Sequence, residues 1–369
     1  MGLEIDRQGW SYWPGREELS IEFTRLLAAA QEGGATIAEC FATAGRIAFT
    51  EDHSWYCEWM KTADATGARG DDALRRGNVV TARSNWLRAI NYYQAAAFPL
   101  DIADADRKTA IERMRSNAAL YLQHRNPRGE VVSISWPGSY SLEGYFLPAD
   151  ASSNPAPAII CIGEPGQRKE EFLFKVARHA SERGIALLTV DLLGAGADSR
   201  FDEVVGRSDL ETTISYVMDY LVERHDVDAR RIAILADGWG SSFVARGIAF
   251  DDRFAAAVCD GGIWDLHERA FLRSRRAAHG DAVLARKARP GRAARGIKCP
   301  VLVSTGERGW LKADRVRDLH EELLADGGDV TLKIFSSEET AAAQGHADNP
   351  TLANEYIFDW VAGHLGISA

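Results

Sequence analysis

The sequence predicts an α/β fold: an eight-stranded, mostly parallel sheet preceded by an all-helical N-terminal lid domain. Three observations carry this. Residues 1–128 place apolar side chains at helical spacing. From residue 129 onward, short apolar runs alternate with helical stretches, the pattern of a sheet covered on both faces. Between the two lies Asn126-Pro127-Arg128-Gly129, a breaker that sets the domain boundary, giving domains 1–128 and 129–369.

The first helix is expected over 17–32, where Leu19, Phe23, Leu26 and Leu27 share a face and Gly33-Gly34 stops the run. A second is expected over 37–49. A third, over 55–65, carries Trp55, Trp59 and Ala63 at four-residue steps. A long helix over 71–97 contains Trp86, Tyr92 and Tyr93, and an amphipathic one follows over 103–124. Strands are expected over 131–136 and 141–147, around the turn Pro137-Gly138. Further strands fall at 158–163, 186–190, 232–235, 255–259, 301–305 and 330–335.

Composition narrows the function. With 46% hydrophobic and 26% charged residues the chain is an ordinary globular sequence. A formal net charge of −10 argues against nucleic acid or an anionic membrane as partner. The densest basic run, Arg273, Arg275 and Arg276, reads as a solvated face. Five cysteines without CxxC or metal-ligand spacing imply neither a disulfide framework nor a metal site. No apolar run reaches the roughly 18 residues of a membrane span, and Met1 to Arg7 lacks signal-peptide character. A reduced, cytoplasmic protein is expected. No cofactor is expected, because the string around Gly194 and Gly196 lacks the third glycine of a dinucleotide site.

Residues 231–241 are the most informative stretch. An apolar strand runs into Ala236-Asp237-Gly238-Trp239-Gly240 and then into a helix from Ser242. That is the outline of the nucleophile elbow of the α/β-hydrolase fold, small-x-Ser-x-Gly. Ala236 and Gly240 set the register, so the tip is Gly238, where a serine is expected; a glycine has no side chain with which to attack a carbonyl. Asp237, Ser241 and Ser242 are alternative nucleophiles. Asp237 would place Leu235 and Trp239 at the crowded flanking positions, and the serines fall in the first helical turn, where capping is the ordinary role.

The remaining stations are occupied unevenly. His346, in Gln344-Gly345-His346-Ala347-Asp348 after the last strand, fits the histidine; His267 and His364 read as bland. After the seventh strand Gly306-Glu307-Arg308-Gly309 has glycine where an aspartate is common, leaving Glu307 nearby. Asp260, closing the sixth strand, is the other acid, with Asp265 five residues on. The oxyanion amides would come from Trp239 and from the loop Gly163-Glu164-Pro165-Gly166. The loop from Asp191 to Asp198 is read as structural.

Three further strings share one context: Asn91-Tyr92-Tyr93-Gln94-Ala95-Ala96, Lys169-Glu170-Glu171, and the run from Phe254 to Asp265. In their order and spacing the chain resembles the dihydroxypseudooxynicotine hydrolase and FrsA-like esterase group of the α/β-hydrolase superfamily, and is similar to fungal polyketide-shortening hydrolases. The resemblance implies a helical domain over the active site, frequent dimers, and cleavage of C–C or ester bonds in aromatic ketones and polyketide-like substrates by a Ser-His-Asp triad. It also implies a glutamate in the loop after the third strand, which falls near Gly166 here, with Glu164 as the nearest carboxylate. Only His346 matches the group residue by residue.

Three functions follow as alternatives. The first is acid–base chemistry without a covalent step, by His346 with Asp260 or Glu307, on an aromatic or polyketide-like small molecule. Cyclisation, dehydration, C–C cleavage or decarboxylation fits, in a natural-product setting. Amides near Trp239 and Gly166 would stabilise an oxyanion, Asp237, Gly238 and Glu164 would line the pocket, and Trp55, Trp59, Trp86, Tyr92 and Tyr93 would face it from the lid or pack as core. The second is a non-catalytic binding or scaffold protein. The third is a hydrolase with a displaced nucleophile.

Overall fold

The protein, a computed structural model, is described at residues 12–48, 51–136, 141–150, 155–164, 166–192, 210–238, 240–261, 296–309 and 312–367. Five helices come first: α1 (Glu17–Ala28), α2 (Ile37–Ala44), α3 (Asp52–Arg75), α4 (Val79–Ala97) and α5 (Ala105–Gln123). The sheet follows, with β1 (Glu130–Ile134), β2 (Leu142–Leu147), β3 (Ala156–Ile162), β4 (Ala186–Val190), β5 (Val227–Asp237), β6 (Ala256–Asp260), β7 (Val301–Gly306) and β8 (Val330–Phe335). Around it lie α6 (Glu171–Lys175), α7 (Ala177–Glu182), α8 (Leu210–Val222), α9 (Gly240–Phe250), α10 (Ala313–Ala325) and α11 (Pro350–His364).

Strand order is β1-β2-β4-β3-β5-β6-β7-β8. β2 runs antiparallel to both β1 and β4, and every other pairing is parallel. The inner strands β3, β4, β6 and β7 are buried at every residue, as a sheet covered on both faces requires. β1, at one edge, alternates buried and exposed residues, and β8, at the other, is only half-buried.

Several helix boundaries depart from the sequence pattern: α1 ends at Ala28 and α2 at Ala44, short of the expected 32 and 49. The expected helices 55–65 and 71–97 are instead α3 and α4, broken at Gly77. The glycines at 67 and 70 do not end α3. Gly70 lies against Trp86, and a Cβ there would come within 2.6 Å of the indole nitrogen. Its missing side chain lets the two helices pack closely rather than breaking one of them.

Trp55, Trp59, Trp86, Tyr92 and Tyr93 are all buried inside this helical packing. Trp55 Nε1 donates to the Ala95 carbonyl at 2.7 Å, and Trp86 Nε1 to Asp71 at 2.9 Å. The hydroxyls of Tyr92 and Tyr93 donate to Glu39 and Asp64 at 2.8 and 2.7 Å. Their large apolar surfaces are spent holding helices together.

A buried carboxylate fastens the helical region to the sheet side. Glu32, after α1, accepts Arg178 Nε at 2.8 Å, His179 Nε2 at 3.1 Å and the Thr351 hydroxyl at 2.6 Å. Burial alone would raise its pKa, but these three donors outweigh it and hold Glu32 at about 2, from an ordinary 4.5. A depressed carboxylate contributes stability above its unfolded pKa and loses it as pH falls through the folded one. Glu32→Gln should therefore cost about 2–4 kcal/mol at neutral pH, since Arg178 is partly exposed and His179 is not. In thermal unfolding, the gap between wild type and variant should close as pH falls from 4.5 toward about 2. A gap independent of pH would contradict this role.

Candidate active site

β5 ends at Asp237, Gly238 follows at φ +46°, and α9 begins at Gly240. The turn is as tight as the sequence implies. A Cβ on Gly240 would come within 2.8 Å of the Gly163 carbonyl, so the start of α9 packs directly on the end of β3. Gly238, in the left-handed region, is the tip, and its amide donates to the Asp260 carbonyl at 2.6 Å. A Cβ there would run into the Glu164 carboxylate.

Parallel pairing of β5 with β6 sets Asp237 beside Asp260. Two buried carboxylates side by side repel, and each has its own cation. Lys175 Nζ, at the end of α6, lies 2.6 Å from Asp237 Oδ2, which also accepts Gln167 Nε2 at 2.7 Å. His346 Nε2 lies 2.7 Å from Asp260 Oδ1, which also accepts the Ser304 hydroxyl at 2.8 Å. Burial opposes charge on Lys175, yet the carboxylates of Asp237 and Asp260 raise its pKa above the ordinary value. Burial likewise opposes charge on Asp260, but His346, then Lys175 and Ser304, bring it down to about 2.

His346 is buried, at φ +56° within the 3-10 turn Gln344–His346. Such a backbone costs about 1–3 kcal/mol and persists only where its surroundings impose it. They do: Nδ1 lies 2.6 Å from the Ala341 carbonyl, and the Phe335 ring stands edge-on at 5.0 Å. A carbonyl at one nitrogen and a carboxylate at the other favour a ring that donates from both nitrogens, the protonated form. Burial works against this, and Asp260 and the Ala341 carbonyl outweigh it, raising the pKa above 6.5.

A cavity of about 410 Å³ lies over this cluster, a size suited to a small organic molecule. Asp237, Gly238, Asp260, Lys175, Glu164 and Gln167 form its sheet-side wall. The helical region supplies the opposite wall from α1, from Gln94, Ala97 and Phe98 of α4, and from Arg107, Ile111 and Met114 of α5.

The expected site residues divide accordingly. Asp260 is the carboxylate that meets His346, while Glu307 is exposed and accepts the Ser337 amide at 2.8 Å, away from the imidazole. Glu164, Gly166, Asp237 and Gly238 line the cavity. His346 does not line it; Asp260 stands between. The five lid aromatics do not line it either; they are buried in the packing of helix on helix. Ser241 and Ser242 are buried in the first turn of α9, and the Ser241 hydroxyl donates back to the Ala236 carbonyl at 3.1 Å. Trp239, Pro165, Asp265, His267, the Arg273–Arg276 run and the glycines at 194 and 196 lie outside the described residues. The sequence pattern missed Lys175, though a lone cation in Phe172-Leu173-Phe174-Lys175-Val176 signals a buried charge in need of a partner. Gln167 and Ser304 carry no comparable signal.

Comparison with known proteins follows from this geometry. The model of the family described as "Esterase FrsA-like" matches residues 16–273. The hydrolyase poxO of Penicillium oxalicum is 32% identical over 270 residues, 70% of this chain and 63% of that protein. The 20-hydroxy-prefusarin hydrolase FUS2 of Gibberella moniliformis is 30% identical over 266 residues, 68% of this chain and 61% of that one. The match thus spans less than two thirds of the length of these relatives. The 2,6-dihydroxy-pseudo-oxynicotine hydrolase structure superposes with a TM-score of 0.72 at 19% identity, over 92% of this chain and 95% of its own. AbyA5 superposes at 0.68 and 15% identity, over 96% and 95%. At these identities the structural likeness is one of fold. Among the described residues no helix is long and apolar enough to cross a membrane, and no cluster of metal-ligating side chains is present.

The charge state of His346 is directly measurable. Nitrogen NMR of the imidazole should show both ring nitrogens protonated at neutral pH, with a titration midpoint above 6.5. Asp260→Asn removes the main opposing charge and should bring that midpoint below 6.5, because burial then dominates. A wild-type midpoint at or below 6.5 would refute the double-donor assignment.

Proposed function

This chain belongs to the FrsA-like esterase family of α/β-hydrolase-fold proteins, and from that premise we propose that it is an enzyme working without an acyl-enzyme. It performs acid–base chemistry on a small aromatic or polyketide-like molecule held in the cavity, a cyclisation, dehydration, C–C cleavage or decarboxylation. The observation that carries the proposal is the tip of the turn after β5. Gly238 stands there at positive φ, and a side chain at that position would run into the Glu164 carboxylate; this supports reading the turn as one without a serine nucleophile.

Each step follows from what the wall residues can do. Glu164 is half-buried, lines the cavity and sits where an attacking hydroxyl would otherwise be presented. It is the group we assign to take and return a proton. Lys175, kept charged by Asp237 and Asp260, supplies fixed positive potential beside it, favouring a developing enolate or phenolate. His346 serves as the cation that holds Asp260 ionised, a positioning role, since neither ring nitrogen has a lone pair for substrate. The similarity to poxO, a hydrolyase, accords with water elimination.

The test is turnover of a panel of aromatic β-keto acids, esters and polyketides, followed by mass spectrometry. Wild type should turn over a member of the panel and be insensitive to fluorophosphonate. Glu164→Gln should lose about 10²–10⁴-fold in kcat. A stoichiometric fluorophosphonate adduct on Ser241 or Ser242, or a trapped ester on Asp237, would overturn the proposal in favour of a displaced nucleophile. Tight ligand binding with no turnover across the panel would overturn it in favour of a binding protein.

A further inference from the structure

The cavity runs along two helices. Beside α1 it is bordered by Ile21, Arg25 and Ala29, a span that rises about 12 Å. Beside α5 it is bordered by Arg107, Ile111 and Met114, a span of about 10 Å. Steps of three and four residues keep each set on one face of its helix.

Exposure falls in one direction along both. Ile21 is 48% exposed and Ala29 5%; Arg107 is half-buried, Ile111 is 5% exposed and Met114 is fully buried. Phe98, just past the end of α4, is 44% exposed and borders the same cavity. The Arg107 guanidinium donates to the Leu100 carbonyl at 2.8 Å, which sets the residues after α4 beside the exposed end of α5. Arg25 donates to Asn91 at 2.8 Å and Gly33 lies against Leu87, so α1 runs antiparallel to α4 and Ile21 falls toward Phe98. The exposed ends of the three helices thus meet at one end of the cavity, with an isoleucine and a phenylalanine on its rim.

Neither side chain is there for helix packing. Ile21 lies off the buried stripe of Leu19, Phe23 and Leu26 on α1, and Phe98 leaves much of its ring in solvent. A single exposed apolar side chain is ordinary, but two large ones on the rim of one cavity mark a place that an apolar group can cover. The exposed residues that border the cavity from the sheet-side loops, Gly166, Gln344 and Gly345, offer no comparable surface. Lys175, Asp237 and Glu164 make the sheet-side wall polar, so the cavity has a charged end and an apolar end.

We propose that Ile21 and Phe98 form a specificity subsite for an uncharged apolar extension of the substrate, an elongated molecule whose reacting group lies at Glu164. The position of the reacting group rests on the acid–base reading above; the apolar subsite rests on the cavity geometry.

Calorimetric titration of the full chain with acetophenone and its 4-ethyl, 4-propyl and 4-butyl derivatives tests it. In wild type each methylene that reaches the subsite should tighten binding about two- to fourfold. The double variant Ile21→Ser, Phe98→Ser should flatten this dependence on chain length. Val80→Ser, which removes an exposed apolar side chain of α4 that does not border the cavity, should leave the dependence as in wild type. No dependence in wild type, whether from equal affinities or from absence of binding across the series, would overturn the proposal, and so would a dependence that survives in the double variant or is lost in Val80→Ser. If the double variant does not fold, the wild-type series and the two single variants decide. Failure of the acid–base reading is distinguishable: it leaves the dependence on chain length intact while turnover is absent or insensitive to Glu164→Gln.

Discussion

Asp260 is the charge around which the cavity end of the sheet is organised. Its carbonyl receives the Gly238 amide, which holds the turn tip against β6. Its carboxylate receives His346 from the loop after β8 and Ser304 from β7. One residue therefore ties together three strands and two loops. Removing an ion of this kind from water costs several kcal/mol unless partners meet every lone pair. The strained backbone at His346 is tolerated because the ion pair and the Ala341 carbonyl fix the ring from both sides.

Sheet geometry explains why a second cation is needed. Parallel register brings Asp237 alongside Asp260, and two buried carboxylates side by side repel. Lys175 supplies a balancing charge from the sheet-covering helix, so two acids and two bases form a compact, nearly neutral group. Glu164 stands over the Gly238 turn, where a side chain on that glycine would meet its carboxylate.

The helical region contributes differently. Its buried tryptophans and tyrosines are consumed in packing helix on helix, and it offers the cavity a mixed set that includes Gln94, Phe98, Arg107, Ile111 and Met114. Its attachment depends on Glu32, whose buried carboxylate reaches α7 and α11 at once. The cavity thus lies between a sheet-side wall that holds the paired charges and a wall from the helical region.

Much of this was legible in the sequence. Short apolar runs marked the inner strands, which are buried at every residue in β3, β4, β6 and β7, and all eight expected strands are present. The small residues Ala236 and Gly240 announced the tight turn, and Gly238 at its tip is visible without coordinates. Local pattern could not choose between Asp260 and Glu307 as the partner of His346, because that choice depends on which loop ends meet across the sheet. It also could not assign the tryptophans and tyrosines of the lid, since one helical stripe suits core and pocket equally until the neighbouring helix is placed. Lys175, Gln167 and Ser304 entered the site only through tertiary contacts. The chain's periodicity and small residues are short-range properties and so determined its elements and its bare turn; the pairing of buried charges is a long-range electrostatic matter, and only the folded sheet decided it.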